Sequence, residues 1–292
     1  MEKFSNWRDK ATGVAPFLQI SNQTNVLKAA LTVVSVVVRV PLLLILTHFL
    51  VILPNAPQFV LSSILYVLGV FSWDVQVTGV KKKSYSDTKP FLPKAGSLIY
   101  TNFISPLDPI VYASLFKCIF AAPHPSNGQI IEYNLFSIIK YALSIQDIAP
   151  PVDSKKVSLD ILAKRARSTG SVIIFFGEGT TSNGRGLLTT PSINSPLTSD
   201  LTVVPAGLRY GPQYLATPLP RYFLGWLWTV LYGFQIWSVR LRFGAPIITR
   251  DVDSSIDEIT SSLCQIGRLK KLGSDLDIHA KREFLKAQNN YK

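Results

Sequence analysis

The chain has 292 residues, a net charge of +12 and a mean hydropathy of +0.25. Only 16% of its residues are charged, against roughly 25% in soluble globular proteins, so the composition disfavours an ordinary soluble enzyme. Positive charge on an apolar chain suits an anionic membrane surface or an anionic substrate. The aromatic residues do not alternate with basic ones as in an RNA-binding sheet, so we expect no nucleic-acid partner.

A nearly continuous aliphatic run extends from residue 26 to 53. As a helix it is long enough for a bilayer core of about 30 Å, although Arg39 would cost roughly 2.5–3.5 kcal/mol at the bilayer centre. Pro54 and Pro57 interrupt it, and the second apolar run, residues 59–71, is short for a full span. The favoured interpretation is a hairpin that enters one leaflet with the prolines at its tip. The alternatives are a spanning helix followed by an interfacial one, and a buried pair of core helices in a soluble protein.

Strand and helix patterns alternate from residue 74 onward. Strands are predicted at 74–80, 97–101, 171–176, 201–206 and 238–243, and helices at 109–116, 133–143, 155–168, 253–263 and 275–288. Asp108 is expected to be the N-cap of the helix at 109–116. Such alternation is typical of an α/β sheet covered by helices. The tryptophan-rich stretch 219–237 predicts a membrane-surface helix or hydrophobic lid, with ordinary core as the alternative.

These patterns divide the chain into four parts. They are a polar N-terminal segment (1–25), a membrane-associated hydrophobic hairpin (26–73), an α/β domain (74–250) and polar C-terminal helices (251–292). The lysine run at 81–83 suits the cytosolic side of an anionic membrane.

Several common chemistries lack support in the sequence. The three histidines, His48, His124 and His279, have no cysteine, aspartate or glutamate at metal-ligand spacing, so we expect no metal site. The sequence contains no Walker loop, dinucleotide fingerprint or Gly-x-Ser-x-Gly elbow. Two cysteines do not make a disulfide framework.

Two polar loops follow apolar strands, where α/β proteins place their sites. The first, residues 101–108, has the sequence TNFISPLD, and the second, residues 175–184, has the sequence FFGEGTTSNG. The second loop is rich in glycine, serine and threonine, so its backbone N–H groups can face an oxyanion or phosphate. Glu178 in this loop either binds a substrate hydroxyl or caps local N–H groups.

These loops carry a resemblance to a known family. The second is similar to the Phe-Pro-Glu-Gly-Thr block of the glycerol-phosphate and lysophosphatidate acyltransferases, with Gly177 in place of proline. The first resembles their His-x-x-x-x-Asp block, with Phe103 where histidine belongs. The strand with Pro205, the strand end at 243–247 and the preceding hydrophobic pair also match. The opening residues 1–17 are similar, in addition, to fungal members of this superfamily.

The resemblance implies a glycerol-phosphate acyltransferase-like mixed sheet flanked by helices, with an N-terminal membrane hairpin. It implies transfer of an acyl group from acyl-CoA to lysophosphatidate, with acyl-CoA as co-substrate and no cofactor. The implied catalytic residues are Asp108 and Glu178, and the implied substrate-binding residues are Asn102, Ser105, Gly179, Thr180, Ser182 and Arg185. The implied partners are membrane lipid and the two substrates. The implied location is the endoplasmic reticulum membrane and the lipid droplet, with the α/β domain facing the cytosol.

The departures from the family pattern concern its polar side chains. Phe103 cannot accept a proton, and a missing general base typically costs about 10²–10⁴ in rate. The family's arginine after Glu-Gly-Thr falls on Thr181, with Arg185 the nearest basic residue, and the intermediate block at 148–151 lacks a clear arginine.

Three replacements for the missing histidine remain open. They are His124, Asp108 acting directly, and the phosphate of the substrate. The alternative function is that of a catalytically impaired relative, which binds lipid or recruits proteins at the endoplasmic reticulum or lipid droplet.

Overall fold

A computed structural model describes residues 4–20, 25–52, 57–80, 89–124, 128–144, 155–193, 195 and 197–290. Its strands are β1 (Val70–Val77), β2 (Leu98–Thr101), β3 (Cys118–Pro123), β4 (Ile130–Tyr133), β5 (Lys155–Lys156), β6 (Val172–Phe176), β7 (Gly186–Leu187), β8 (Leu201–Gly211), β9 (Trp237–Phe243), β10 (Ile247–Thr249) and β11 (Lys270–Lys271). The helices are α1 (Val26–Ile52), α2 (Pro57–Leu68), α3 (Asp108–Leu115), α4 (Leu135–Leu143), α5 (Leu159–Thr169), α6 (Phe223–Leu231), α7 (Ile256–Gly267) and α8 (Ile278–Asn290).

The main sheet is mixed, in the order β1-β9-β8-β2-β6-β3-β4-β5, with β10 on β8. Strands β8, β2, β6 and β3 run parallel to one another. The carboxyl ends of these strands therefore meet at one edge, where both polar loops begin. The mixed α/β sheet predicted from the sequence is confirmed; its likeness to glycerol-phosphate acyltransferases stays a prediction.

Helices cover both faces of the sheet. Residues of α2, α3, α4 and α6 pack on one face, and residues of α5 and α7 pack on the other. Strand alternation divides the two cores, because successive side chains point to opposite faces. In β6, Ile174 and Phe176 belong to the first core, and Ile173 and Phe175 belong to the second.

Helix α1 is long and apolar enough to cross a membrane, and it runs through Pro41 without a break. Much of its aliphatic surface is exposed, whereas Arg39 is 5% exposed. A Cβ placed on Gly69 would lie 3.3 Å from Nη1 of Arg39, so this guanidinium lies against the protein. Helix α2 packs along α1. The leaflet-entering hairpin stays a prediction. Of its expected tip, Pro57 begins α2, but Pro54 lies outside the described residues, as does the lysine run at 81–83.

Some predicted elements are wrong in detail. Lys155 and Lys156 pair with β4 as strand β5, so α5 begins later, after the N-cap Ser158, and ends at the left-handed Gly170. Helix α3 is preceded by Leu107 as N-cap, because the Asp108 carboxylate turns back to the first loop.

The tryptophan-rich stretch divides between surface and core. Helix α6 buries Trp226 and exposes Trp228, and Trp237 is fully buried in β9. Contact of α6 with a membrane stays a prediction. The division of the chain into four parts likewise stays a prediction.

Helix α7 crosses β8 at two glycines. A Cβ placed on Gly207 would lie 2.5 Å from Cα of Gly267, and this neighbour is backbone that cannot rotate away. We expect Gly207→Ala to reduce the free energy of unfolding by about 1–3 kcal/mol, the usual range for overpacking. Thermal unfolding of the detergent-solubilised protein measures the effect. Gly225→Ala is the control, because nothing lies within 4 Å of a Cβ at that position; equal stability of the two variants would contradict the close approach.

Candidate functional site

The first loop is held by the buried carboxyl group of Asp108. Oδ2 accepts hydrogen bonds from the backbone N–H groups of Ile104 (2.6 Å) and Ser105 (3.1 Å), and Oδ1 accepts one from the Tyr210 hydroxyl (2.6 Å). Burial raises the pKa of Asp108 to about 7, although these hydrogen bonds oppose the rise. Asp108 therefore fixes the loop to β8 and is partly ionised near neutral pH.

Phe103 lies where the family has histidine. Its side chain is fully buried, and its ring stacks on Phe176 with the ring centroids 4.2 Å apart. Its backbone N–H donates to Oε1 of Glu178 (3.2 Å), and its carbonyl oxygen accepts from the Ser182 N–H (2.9 Å). Phe103 thus supplies packing and a backbone connection between the loops, and no proton acceptor.

Glu178 connects three backbone segments. Besides the bond from Phe103, its Oε2 accepts from the Leu188 N–H at 3.5 Å. The carboxyl group is fully buried. Burial raises its pKa to about 8, with the hydrogen bonds and the charge of Lys281 acting in the opposite direction. Glu178 therefore caps backbone N–H groups, one of them in the other loop; its contact with a substrate hydroxyl stays a prediction.

Lys281 reaches the second loop from α8. Its Nζ donates to Oγ1 of Thr180 (2.8 Å), to the carbonyl oxygen of Thr181 (2.7 Å) and to Oγ1 of Thr181 (3.1 Å). The side chain is 3% exposed, and burial lowers its pKa to about 7, although Glu178 opposes the shift. A lysine side chain therefore contacts Thr181, the position at which the family has arginine.

The sequence places Lys281 in a polar C-terminal helix and does not predict that it contacts the site. The spacing of the apolar residues around it does indicate that the side chain is buried. Ile278, Phe284 and Leu285 lie three or four positions away and are all buried, so Lys281 occupies the apolar stripe of the helix. A lysine in such a stripe needs polar partners inside the protein.

The other predicted residues have mainly structural contacts. The Asn102 amide exchanges two hydrogen bonds with the backbone of Leu208 (2.9 and 3.0 Å). Ser105 Oγ accepts from the Leu107 N–H (3.3 Å), and Ser182 Oγ accepts from the Gly184 N–H (3.4 Å).

Gly179 has a left-handed φ of 62°, and its carbonyl oxygen accepts from the Tyr141 hydroxyl (2.6 Å). Arg185 is exposed. The structure therefore brings the predicted residues of both loops into one buried region, with Arg185 at its surface.

His124 also belongs to this edge of the sheet. It follows β3, which is parallel to β6, and its side chain is 6% exposed. A Cβ placed on Gly179 would lie 3.4 Å from the neighbouring Pro123. His48 and His279 are exposed on α1 and α8. Thus His124 is the histidine beside the second loop. The 148–151 block lies outside the described residues.

The N-terminal segment covers the second loop. Asn183 donates from its backbone to Pro16 (2.9 Å) and from its side chain to Ala15 (2.8 Å). Phe17 is buried against Phe284 of α8, with the ring centroids 5.7 Å apart. Both ends of the chain therefore enclose the second loop.

Gly177 replaces the family's proline because Tyr100 fills the space. A Cβ on Gly177 would overlap the hydroxyl and ring of Tyr100, and this hydroxyl hydrogen-bonds Thr190. The substitution therefore has a steric reason in a neighbouring strand.

Comparison with known proteins identifies two fungal relatives. The chain is 33% identical to a putative lysophosphatidic acid:oleoyl-CoA acyltransferase of Schizosaccharomyces pombe, over 97% of this chain and 99% of the relative. It is 30% identical to lysophosphatidic acid:oleoyl-CoA acyltransferase 1 of Saccharomyces cerevisiae, over 64% of this chain and 60% of the relative. No protein-family model matches the chain. No solved structure matches it significantly.

The close approach of Tyr100 to Gly177 predicts that Gly177→Ala is destabilising by about 1–3 kcal/mol, the usual range for overpacking. Combining it with Tyr100→Ala removes the overlap, so we expect the double variant to be more stable than the sum of the two single effects predicts. Thermal unfolding of the four proteins forms the cycle. Strict additivity would contradict the overlap.

The raised pKa of Glu178 predicts a pH-dependent stability. Between its ordinary value of 4.5 and the folded value of about 8, the folded state binds more protons than the unfolded state, so the stabilising contribution falls as pH rises. Glu178→Gln removes this loss, so the stability of the variant relative to wild type should increase from pH 5 to pH 8. Thermal unfolding at both pH values measures it, with the exposed Glu258→Gln as control. A constant difference for Glu178→Gln would contradict the raised pKa.

Proposed function

Because the chain belongs to the lysophosphatidic acid:oleoyl-CoA acyltransferase family, we propose that it transfers an acyl group from acyl-CoA to the free hydroxyl of lysophosphatidic acid, giving phosphatidic acid. The observation that carries the proposal is the fission-yeast relative, whose similarity extends over 97% of the chain and so includes both loops. The long apolar α1 supports a membrane location. The endoplasmic reticulum, the lipid droplet and a cytosolic orientation belong to the same proposal and rest on the resemblance.

The reaction requires a proton acceptor. The hydroxyl oxygen attacks the thioester carbonyl, the C–S bond breaks, and the proton of the hydroxyl must leave as CoA thiolate is released. We propose His124 as this acceptor. Histidine is the usual general base near neutral pH, and the position of His124 after β3, beside the Gly179 loop, supports the assignment.

Asp108 is the competing acceptor, because a carboxyl group with a pKa of about 7 is partly ionised near neutral pH and can then take up a proton. Against it, both oxygens already bind protein donors and the side chain is fully buried. Its contacts favour a positioning role in which it fixes the first loop. Lys281 likewise holds the second loop through its hydrogen bonds to Thr180 and Thr181.

A second candidate function follows from Phe103. Its buried ring on Phe176, with no base at that position, favours a relative that binds lysophosphatidate and acyl-CoA without turnover. This candidate shares the substrates and differs only in the chemical step. Measurements of turnover and of binding therefore separate the two.

The experiment uses the full chain in detergent micelles with lysophosphatidic acid and oleoyl-CoA, and phosphatidic acid formation is measured. We expect turnover by wild type and a fall in kcat of about 10²–10⁴ for His124→Gln, the loss typical of a removed general base. His279→Gln is the matched control, because this histidine is exposed on α8. The melting temperature of each variant is measured alongside.

Other results of this experiment would support different assignments. A large loss in Asp108→Asn with little loss in His124→Gln would assign the proton to Asp108 instead. Binding of both substrates without product in wild type would favour the second candidate. If the wild-type protein neither binds these substrates nor turns them over, the assignment of substrate is overturned.

A further inference from the structure

Four arginines converge beside the second loop. Arg209 on β8 and Arg240 on β9 are direct cross-strand partners, and Arg242 lies on the same face of β9, two residues further along. Arg268 caps the C-terminus of α7. The pKa of Arg209 is lowered, first by burial and then by the positive charges of the other three. Arg209 therefore lies close enough to the other three guanidinium groups to be repelled by them.

This cluster has little internal compensation. Within the described part of the chain, Arg209, Arg240 and Arg268 form no ion pair and donate no side-chain hydrogen bond, and Arg242 donates one, to the carbonyl oxygen of Ile266 (3.4 Å). Asp74 of β1 lies in register with Arg240, which in turn lies in register with Arg209. Asp74 is the one carboxylate among these three cross-strand partners. Like charges directly opposite on neighbouring strands are destabilising. An arrangement that reduces stability in the empty protein is typical of a site for an anion.

The cluster adjoins the residues that flank both loops. Arg209 lines a small surface cavity of about 10 Å³ together with Ile104, Gly184 and Tyr210. Ile104 belongs to the first loop and Gly184 to the second, and Tyr210 binds Asp108. An anion held by Arg209 would therefore lie at the rim of the candidate site.

The face of the sheet indicates the source of the anion. Leu208 and Tyr210 belong to the core that α2 covers, so Arg209 between them points to the opposite face. The apolar helices α1 and α2, which are proposed to contact the membrane, thus lie on the other side of the sheet from the arginines. This placement favours a ligand that arrives from water over a bilayer surface.

We propose that Arg209, Arg240, Arg242 and Arg268 form a binding site for the phosphate groups of a substrate. The proposal rests on the proposed function, which supplies two phosphate monoesters, that of CoA and that of lysophosphatidate. The face of the sheet favours CoA, whose nucleotide part is soluble and carries several phosphates. Arginine suits this ligand because its planar guanidinium binds phosphate oxygens in pairs.

The experiment measures equilibrium binding and needs no turnover. Affinities of the full chain in detergent are compared for CoA, dephospho-CoA, lysophosphatidate and monoacylglycerol. We expect the double variant Arg209→Gln, Arg268→Gln to bind CoA more weakly by roughly tenfold or more, as for loss of charge-assisted hydrogen bonds, and to lose the preference for CoA over dephospho-CoA. The control Lys164→Gln, Arg250→Gln removes the same charge from surface ion pairs elsewhere.

Stability distinguishes binding from a structural role. Since the substitutions relieve repulsion, we expect the ligand-free double variant to melt at the same temperature as wild type or higher. A lower melting temperature together with weaker binding would overturn the proposal in favour of a structural cluster. Weaker binding of lysophosphatidate alone would support a phosphate site and assign it to the lipid substrate.

Two further results would overturn the proposal. The first is unchanged affinity for every phosphate ligand. The second is unchanged CoA affinity with loss of binding to phosphatidylcholine vesicles that contain phosphatidylserine, which would make the cluster a membrane contact. Arginine-dependent CoA binding in a protein without turnover would instead support this site and contradict only the proposed reaction.

Discussion

The geometry of the site depends on buried carboxyl groups that bind backbone N–H groups. Asp108 holds the first loop through Ile104 and Ser105, and Glu178 holds Phe103 in the first loop and Leu188 beyond the second. An unpaired buried charge would be strongly unfavourable. Burial of each carboxyl group is therefore favourable only when the loops adopt the conformation that supplies these N–H donors. Because Glu178 binds the backbone of the first loop, the conformations of the two loops depend on each other.

Lys281 extends this network to the end of the chain. Its amino group donates hydrogen bonds to Thr180 and Thr181, and its charge opposes the rise in the pKa of Glu178 that burial causes. Helix α8 is itself held by aromatic contacts with the N-terminal segment, including Phe17 on Phe284. The packing of two sequence-distant ends thus determines the electrostatics of the central loop, which explains why a site on β2 and β6 needs residues near 17 and 281.

The sequence predicted those features that depend on local patterning. Apolar runs placed β2, β6 and β9, and the polar loops after β2 and β6 marked the edge of the sheet. Features that depend on tertiary contacts were not predicted from the sequence. Asp108 looked like a helix cap, but its carboxylate binds the loop before the helix. Lys155 and Lys156 looked helical, but their pairing with β4 outweighs helix propensity. The role of Lys281 became visible only when the partner of α8 was known.

Three of the four departures from the family pattern share a physical explanation; the fourth, at 148–151, lies outside the described residues. Phe103 stacks on Phe176, Gly177 makes room for Tyr100, and Thr181 accepts a hydrogen bond from Lys281. Random loss of function would leave cavities or unpaired polar groups at such positions. Here each altered residue has a matching neighbour on another element, so the substitutions form compensated pairs. Packing and hydrogen bonding at these positions are therefore complete without the histidine, as is expected if the loops position a ligand.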